Sequence, residues 1–266
     1  MSLLASLENA WGLARSTIDN DMLFFNSLFI CVQSGVYFGV SWFLGLAWER
    51  NWWQQYKIQR NKYPTTNQMR KTWRKIIFSH VIVQPLSLAF TWPMHTQLGV
   101  EKLLGLPFPP LTDILGQLVV YYFIESTLFY WIHRLLHENK FLYRHVHKQH
   151  HEFHVSTALA AEYAHPIESV FGNYLPFLAG PWIFPPHAVT YLLWLAFRIL
   201  QTLDAHSGYK LPFSPWNYVP GGGSAHHDFH HSHPNSGCYG SFLWDSLMGT
   251  DADFQQWENS QKCSSA

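Results

Sequence analysis

Apolar runs separated by short polar ones set the plan of this chain. The first, Met22 to Trp48, contains no Asp, Glu, Lys or Arg. At 1.5 Å of rise per residue it exceeds the hydrocarbon core of a bilayer, about 30 Å, so it predicts a membrane-spanning helix. Gly35, Gly39 and Gly45 within it offer a surface that a neighbouring helix can approach. From Glu49 to Lys75 the pattern turns basic: Arg50, Lys57, Arg60, Lys62, Arg70, Lys71, Arg74 and Lys75 face one acid, Glu49. Ile76 to Met94 is the second apolar run, interrupted by Pro85 and Pro93, and Leu111 to Trp131 is the third. Two further runs, Ile167 to Ile183 and His187 to Leu203, are near the lower length limit for spanning and are divided by Pro185-Pro186. They predict a hairpin that enters the membrane and returns on the same side. The basic loop reads as cytosolic, which places residues 1–21 and 97–110 opposite.

The polar residues that follow the third run repeat in a particular way. They read His133-Arg-Leu-Leu-His137, then His147-Lys-Gln-His150-His151, and later His227-Asp-Phe-His230-His231. On a helix the first pair lies one turn apart on one face, and each His-x-x-His-His group keeps its imidazoles within about 100° of one another. A single i,i+4 pair is weak evidence for a site, but three such sets downstream of apolar runs are a metal pattern. Zinc takes four ligands, and a catalytic zinc only three from protein. Eight imidazoles therefore call for two ions, roughly 3 to 6 Å apart if they are to share one substrate oxygen. Neutral imidazole suits Fe, Zn, Cu and Ni, so the spacing leaves the metal open. Glu125 sits two turns before His133 and roughly 80° around the helix. An acid at that depth either orients a ligand imidazole or makes an interhelical hydrogen bond.

Composition changes the picture in three respects. Only 13% of the 266 residues are charged and 17% are aromatic, with 13 Trp, as expected of a chain partly solvated by lipid. The mean hydropathy of −0.08 is pulled down by 17 His and many Trp and Tyr that belong in a metal site or at the bilayer interface. Acids and bases balance at 17 each, so no global field recruits nucleic acid. The three cysteines, Cys31, Cys238 and Cys263, lack metal spacing and read as reduced thiols. Residues 1–21 lack the pattern of a cleaved secretory signal.

The motifs HRLLH, HKQHH and HDFHH resemble the fatty acid hydroxylase/sterol desaturase superfamily of membrane non-haem di-iron oxygenases. The stretches AEYAHPIE (Ala161 to Glu168) and LDAHSGYKLPFSPWN (Leu203 to Asn217) resemble its C4-methylsterol oxidases. The resemblance covers roughly residues 110 to 254. It implies an all-α integral membrane protein of about four membrane helices or hairpin elements with a cytosolic, histidine-rich helical cap. Residues 1–110 would supply the N-terminal membrane helices and basic loop, 111–254 the di-iron catalytic domain and 255–266 a polar tail. It implies iron ligands at His133, His137, His147, His150, His151, His227, His230 and His231, with His165 and His206 matching the family's further histidines. Asp204 and Asp228 are candidate partners that orient those imidazoles.

It further implies two Fe ions, O2, and electrons from NAD(P)H through cytochrome b5 or a similar carrier. The setting would be the endoplasmic reticulum membrane, beside other sterol demethylation enzymes. The expected reaction is oxidation of a membrane lipid, foremost the C4-methyl of a 4-methylsterol. Gly221-Gly222-Gly223, Gly237-Cys238-Tyr239-Gly240 and Met248 to Asp251 depart from the sterol oxidases, so a fatty acyl, sphingoid or other sterol substrate stays open. A zinc hydrolase would want His-Glu-x-x-His, which is absent, and a metal transporter would place histidines inside the spans rather than past their ends.

Overall fold

The computed structural model describes residues 2–218, 223–233, 235–240 and 243–264. They are helical, and the only β pairing among them is one isolated bridge between Lys57 and Tyr209. A short helix α1 (Leu3–Thr17) precedes α2 (Asp21–Glu49). The latter starts where the Asn20 side chain accepts from the Leu23 N–H and Asp21 sits favourably at the positive end of the helix dipole. The third helix, α3 (Thr66–His95), begins ahead of the apolar run that predicts it. Thr65 and Gln68 form a reciprocal capping box, so Arg70, Lys71, Arg74 and Lys75 belong to its first turns rather than to a loop. Pro85 does not end it. Residues Ser79–Val83 form a π-helical turn just before the proline, which takes up the carbonyls that the missing N–H leaves unbonded.

Helix α2 and helix α3 are each long and apolar enough to cross a membrane. Their outward faces agree: Trp42 is 68% exposed, Leu86 66% and Phe90 86%. A helix on the surface of a soluble domain turns polar residues outward, whereas these turn their largest apolar ones, the arrangement suited to lipid. The glycines expected to admit a neighbour do not, because a Cβ at Gly35, Gly39 or Gly45 would meet open space. The close approach occurs elsewhere.

After α4 (Val100–Leu104) comes α5 (Leu111–Glu138), which carries the third apolar run through His133 and His137 in one unbroken helix. Beyond the short α6 (Lys140–His145), α7 (residues 166–183) and α8 (Ala188–Ala205) form the hairpin. Helix α7 also contains a π-helical segment, Ser169–Tyr174, ahead of Pro176. It packs along α5 at Gly180, where any Cβ would lie 3.0 Å from the Tyr121 Cα. Helix α8 packs along α2 through Phe24, Phe25, Phe29, Tyr191, Leu195 and Ile199.

At the end away from the histidines, α1, α4 and the α7–α8 turn are tied together. Trp11 donates to the Leu104 carbonyl, Arg15 pairs with Glu101 and Asp21, Tyr121 donates to the Phe184 carbonyl, and His187 bonds the Gly105 carbonyl. At the other end α5 and α8 finish together, and α9 (Ser224–Ser232), α10 (Trp244–Met248) and α11 (Ala252–Ser264) follow.

Candidate metal centre

Each histidine set arrives on its own helical segment. His133 and His137 close α5, His147, His150 and His151 lie on the 3-10 segment His147–Glu152, and His227, His230 and His231 lie on α9. These segments interleave instead of each holding its own ion. His133, His137, His147, His151 and His230 form one group, and His150, His206, His227 and His231 form a second, with the ligand atoms of each within 4.8 Å of one another. In the second and third sets the outer pair, four residues apart, serves one group and the middle histidine turns to the other. The two groups touch, with 4.6 Å between the His150 and His231 ring centroids within the second and 4.8 Å between His151 and His231 across the two.

The nitrogen spacing tests whether the residues fit metal ions. Nε2 of His147 is 2.7 Å from that of His137, 3.0 Å from that of His151 and 3.1 Å from that of His133. In the second group the Nε2 of His227 is 2.9 Å from that of His206 and 3.0 Å from that of His231. Two nitrogens each about 2.0–2.1 Å from one ion and 90–110° apart are themselves about 3 Å apart, so the separations are those of a shared coordination sphere. The opposite ring atoms point the same way. Nδ1 of His133 faces the Tyr239 carbonyl at 2.9 Å, that of His230 the Gly237 carbonyl at 2.8 Å and that of His206 the Thr202 carbonyl at 2.8 Å. A carbonyl accepts only from an N–H, so in these rings the lone pair is on Nε2, facing other nitrogens. Such lone pairs repel unless a cation lies among them.

Electrostatics favour the same state. Burial, followed by the neighbouring imidazoles, holds His150, His227, His230 and His231 well below the ordinary histidine pKa, and burial lowers His206 to about 4. The rings are neutral at physiological pH, as ligands must be. Other sequence candidates lie elsewhere. His165 joins neither group: it caps α7, its Nδ1 accepting from the Ile167 N–H at 3.2 Å. Glu125 pairs with Arg198 of α8, so it ties two helices together and orients no imidazole. Asp204 accepts from Ser214 at 2.9 Å, and Asp228 accepts from the Gln59 amide at 2.9 Å, which ties α9 to the basic segment. His226 is buried against Phe254. Gly221 and Gly222 fall outside the described residues.

Two features escape a reading of the sequence. The carboxylate of Glu168 is 2.9 Å from His147 Nδ1, off the ring N–H axis, and nothing in its spacing from the histidines marks it. The carbonyls of Gly237 and Tyr239 are main-chain atoms without a residue signature. Beside the imidazoles a cavity of about 220 Å³ runs into the bundle, bounded by His133, His150, His206 and His227 at one end. Its walls are mixed: Phe129, Leu136 and Phe177 with Gln33 and the Glu125–Arg198 pair.

The family model for fatty acid hydroxylase matches residues 118–250, the stretch that contains all three histidine sets. A C-4 methylsterol oxidase of Schizosaccharomyces pombe is 32% identical over 262 residues, covering 95% of this chain and 85% of that protein. A very-long-chain aldehyde decarbonylase of Oryza sativa subsp. indica is 40% identical over 206 residues, 76% of each chain. A methylsterol monooxygenase of Arabidopsis thaliana is 36% identical over 207 residues, again 76% of each. No solved structure matches. Interleaved imidazoles at the ends of apolar helices and matches of this length lead to one conclusion: the chain belongs to the fatty acid hydroxylase family of membrane oxidoreductases, together with the C-4 methylsterol oxidases.

Proposed function

We propose that the protein oxidises the C4-methyl group of a 4-methylsterol, using two iron ions held by the two imidazole groups and O2. The observation that carries the metal half is the pair of nitrogen clusters, five and four imidazoles with Nε2 atoms about 3 Å apart. The sterol half rests on the C-4 methylsterol oxidase of Schizosaccharomyces pombe, which matches 95% of the chain. Bound iron would supply O2 activation and C–H oxidation. The chain's residues do the rest: nine imidazoles hold the ions, main-chain carbonyls fix the ring tautomers, and the cavity excludes water from the reacting carbon. With the histidines at the cytosolic ends of the helices, the oxidant lies at headgroup level, where a sterol's 3-hydroxyl and adjacent C4 reside. In this reading the protein is a multi-pass protein of the endoplasmic reticulum, fed by NAD(P)H through cytochrome b5 or a similar carrier. It converts the methyl group stepwise to alcohol, aldehyde and acid for a separate decarboxylase.

A second reading comes from the rice aldehyde decarbonylase, 40% identical over three quarters of the chain: the substrate would be a very-long-chain acyl compound. One assay separates the two. Purified protein reconstituted with NADPH, cytochrome b5 and its reductase is given a 4-methylsterol and a very-long-chain aldehyde in parallel. Formation of the 4-hydroxymethyl product supports the proposal, whereas turnover of the aldehyde with the sterol untouched replaces it with the second reading.

A further inference from the structure

We propose that Asp245 is a positioning residue: through residues 237–240 it sets the imidazoles of the five-histidine position and leaves the four-histidine position to a different brace. The inference rests on the reading that each position holds a metal ion.

The loop delivers two carbonyls to one side. Gly237 accepts from His230 Nδ1 at 2.8 Å, and Tyr239, two residues on, accepts from His133 Nδ1 at 2.9 Å. Two ligands that come from different helices, α5 and α9, are thus aimed by one tetrapeptide. Its backbone is unusual: Gly237, Cys238 and Gly240 have φ of 72°, 63° and 80°. A Cβ on Gly237 would lie 2.1 Å from the Thr250 carbonyl oxygen, so only glycine fits there. Cys238 carries a side chain in the left-handed region, a costly conformation that persists only where its surroundings over-determine it.

Those surroundings converge on Asp245, which is fully buried. One carboxylate oxygen accepts from the Tyr239 N–H at 2.8 Å and from the Thr250 hydroxyl at 2.7 Å. The Thr250 N–H donates to the Asp245 carbonyl at 2.9 Å, and the Thr250 carbonyl accepts from the Cys238 N–H at 2.9 Å. Asp245 therefore holds the peptide whose carbonyl neighbours hold His133 and His230. The second position is aimed separately: His206 Nδ1 is taken by Thr202 in α8. Loss of Asp245 should loosen one ion and spare the other, an asymmetry that general destabilisation would not give.

The test uses the full chain in detergent, reconstituted with ferrous iron, with release to a strong ferrous chelator followed optically. Wild-type protein should release two irons per chain slowly. In Asp245→Ala one of them should leave faster by about 10–100-fold, the range typical of removing a partner that orients a ligand, and the other at the wild-type rate. Asp245→Asn keeps an acceptor oxygen for the Tyr239 N–H and should stay near wild type. Should Asp245→Ala fail to accumulate, Thr250→Val, which replaces the hydroxyl with a methyl group and so removes one of the two donors to the Asp245 oxygen, should show the same one-ion effect more weakly. Cys238→Gly should leave both rates unchanged, while Cys238→Val, β-branched in the left-handed region, should reproduce the loosened ion. Equal acceleration of both ions, or of neither, overturns the clamp. Wild-type protein that takes up fewer than two irons instead overturns the two-ion reading on which it stands.

Discussion

His147 shows how one residue's position settles its chemistry. Its Nε2 lies about 3 Å from three other ring nitrogens, while Glu168 approaches its Nδ1, so the buried ring is enclosed by imidazoles on one side and a carboxylate on the other. His147→Ala or His230→Ala should abolish turnover and lower bound iron while leaving membrane insertion intact, because neither residue lies in one of the long apolar helices. Iron content measured beside membrane extraction checks this, and a variant that keeps its iron and activity would remove the residue from the site. The same crowding fixes a pH dependence. The buried imidazoles have folded-state pKa values below the unfolded value of about 6.5, so below that pH the unfolded chain binds protons that the folded one refuses. Stability of the metal-free protein should be flat above about pH 7 and fall as pH drops from about 6.5 toward 4. Thermal unfolding across that range reads it, and a stability that rose on acidification would contradict the neutral-ring assignment.

At the scale of elements, the sequence carried much of the plan but not the contacts. The apolar runs located α2, α5 and the two helices on either side of Pro185-Pro186; Met22 to Trp48 carries no charge over a length that spans a bilayer, whereas the other three runs each carry one or two, Asp113 and Glu125, Glu168, and Arg198. The three histidine sets were legible because a ligand spacing is a local property of a helix. What stayed hidden was relational. Which histidine joins which group depends on how three helices interdigitate, and His165 matches a family histidine yet serves as a helix cap. Arg198 is the missing partner of Glu125, eight residues before His206 as Glu125 is eight before His133, so the two meet at a common depth. Arg198→Leu would leave that buried carboxylate uncompensated and should cost about 3–5 kcal/mol, whereas Glu125→Leu with Arg198→Leu together should recover most of it. Thermal denaturation of the two variants decides, and an equal loss in both would show that the pair is not what holds α5 to α8. Gly180→Ala, which drives a methyl into Tyr121, should cost about 1–3 kcal/mol by the same measurement.

The whole molecule sorts its parts by height. Helices α5 and α8 end together at the histidines, while α1, α4 and the hairpin turn gather at the opposite end. If the basic segment before α3 is cytosolic, glycosylation acceptors inserted near residue 100 should be modified and those at the C-terminus should not; the reverse pattern would invert the topology. In the proposed reaction this arrangement would bring oxidising metal ions to a lipid carbon at headgroup level. The most direct measurement is a single turnover of iron-loaded, reduced protein with a 4-methylsterol under isotopically labelled O2, with products read by mass spectrometry. The expected product is 4-hydroxymethylsterol carrying one labelled oxygen atom, with no such product from His230→Ala. Recovery of the sterol unchanged from protein that holds two irons and consumes labelled O2 on an acyl lipid would contradict the sterol assignment.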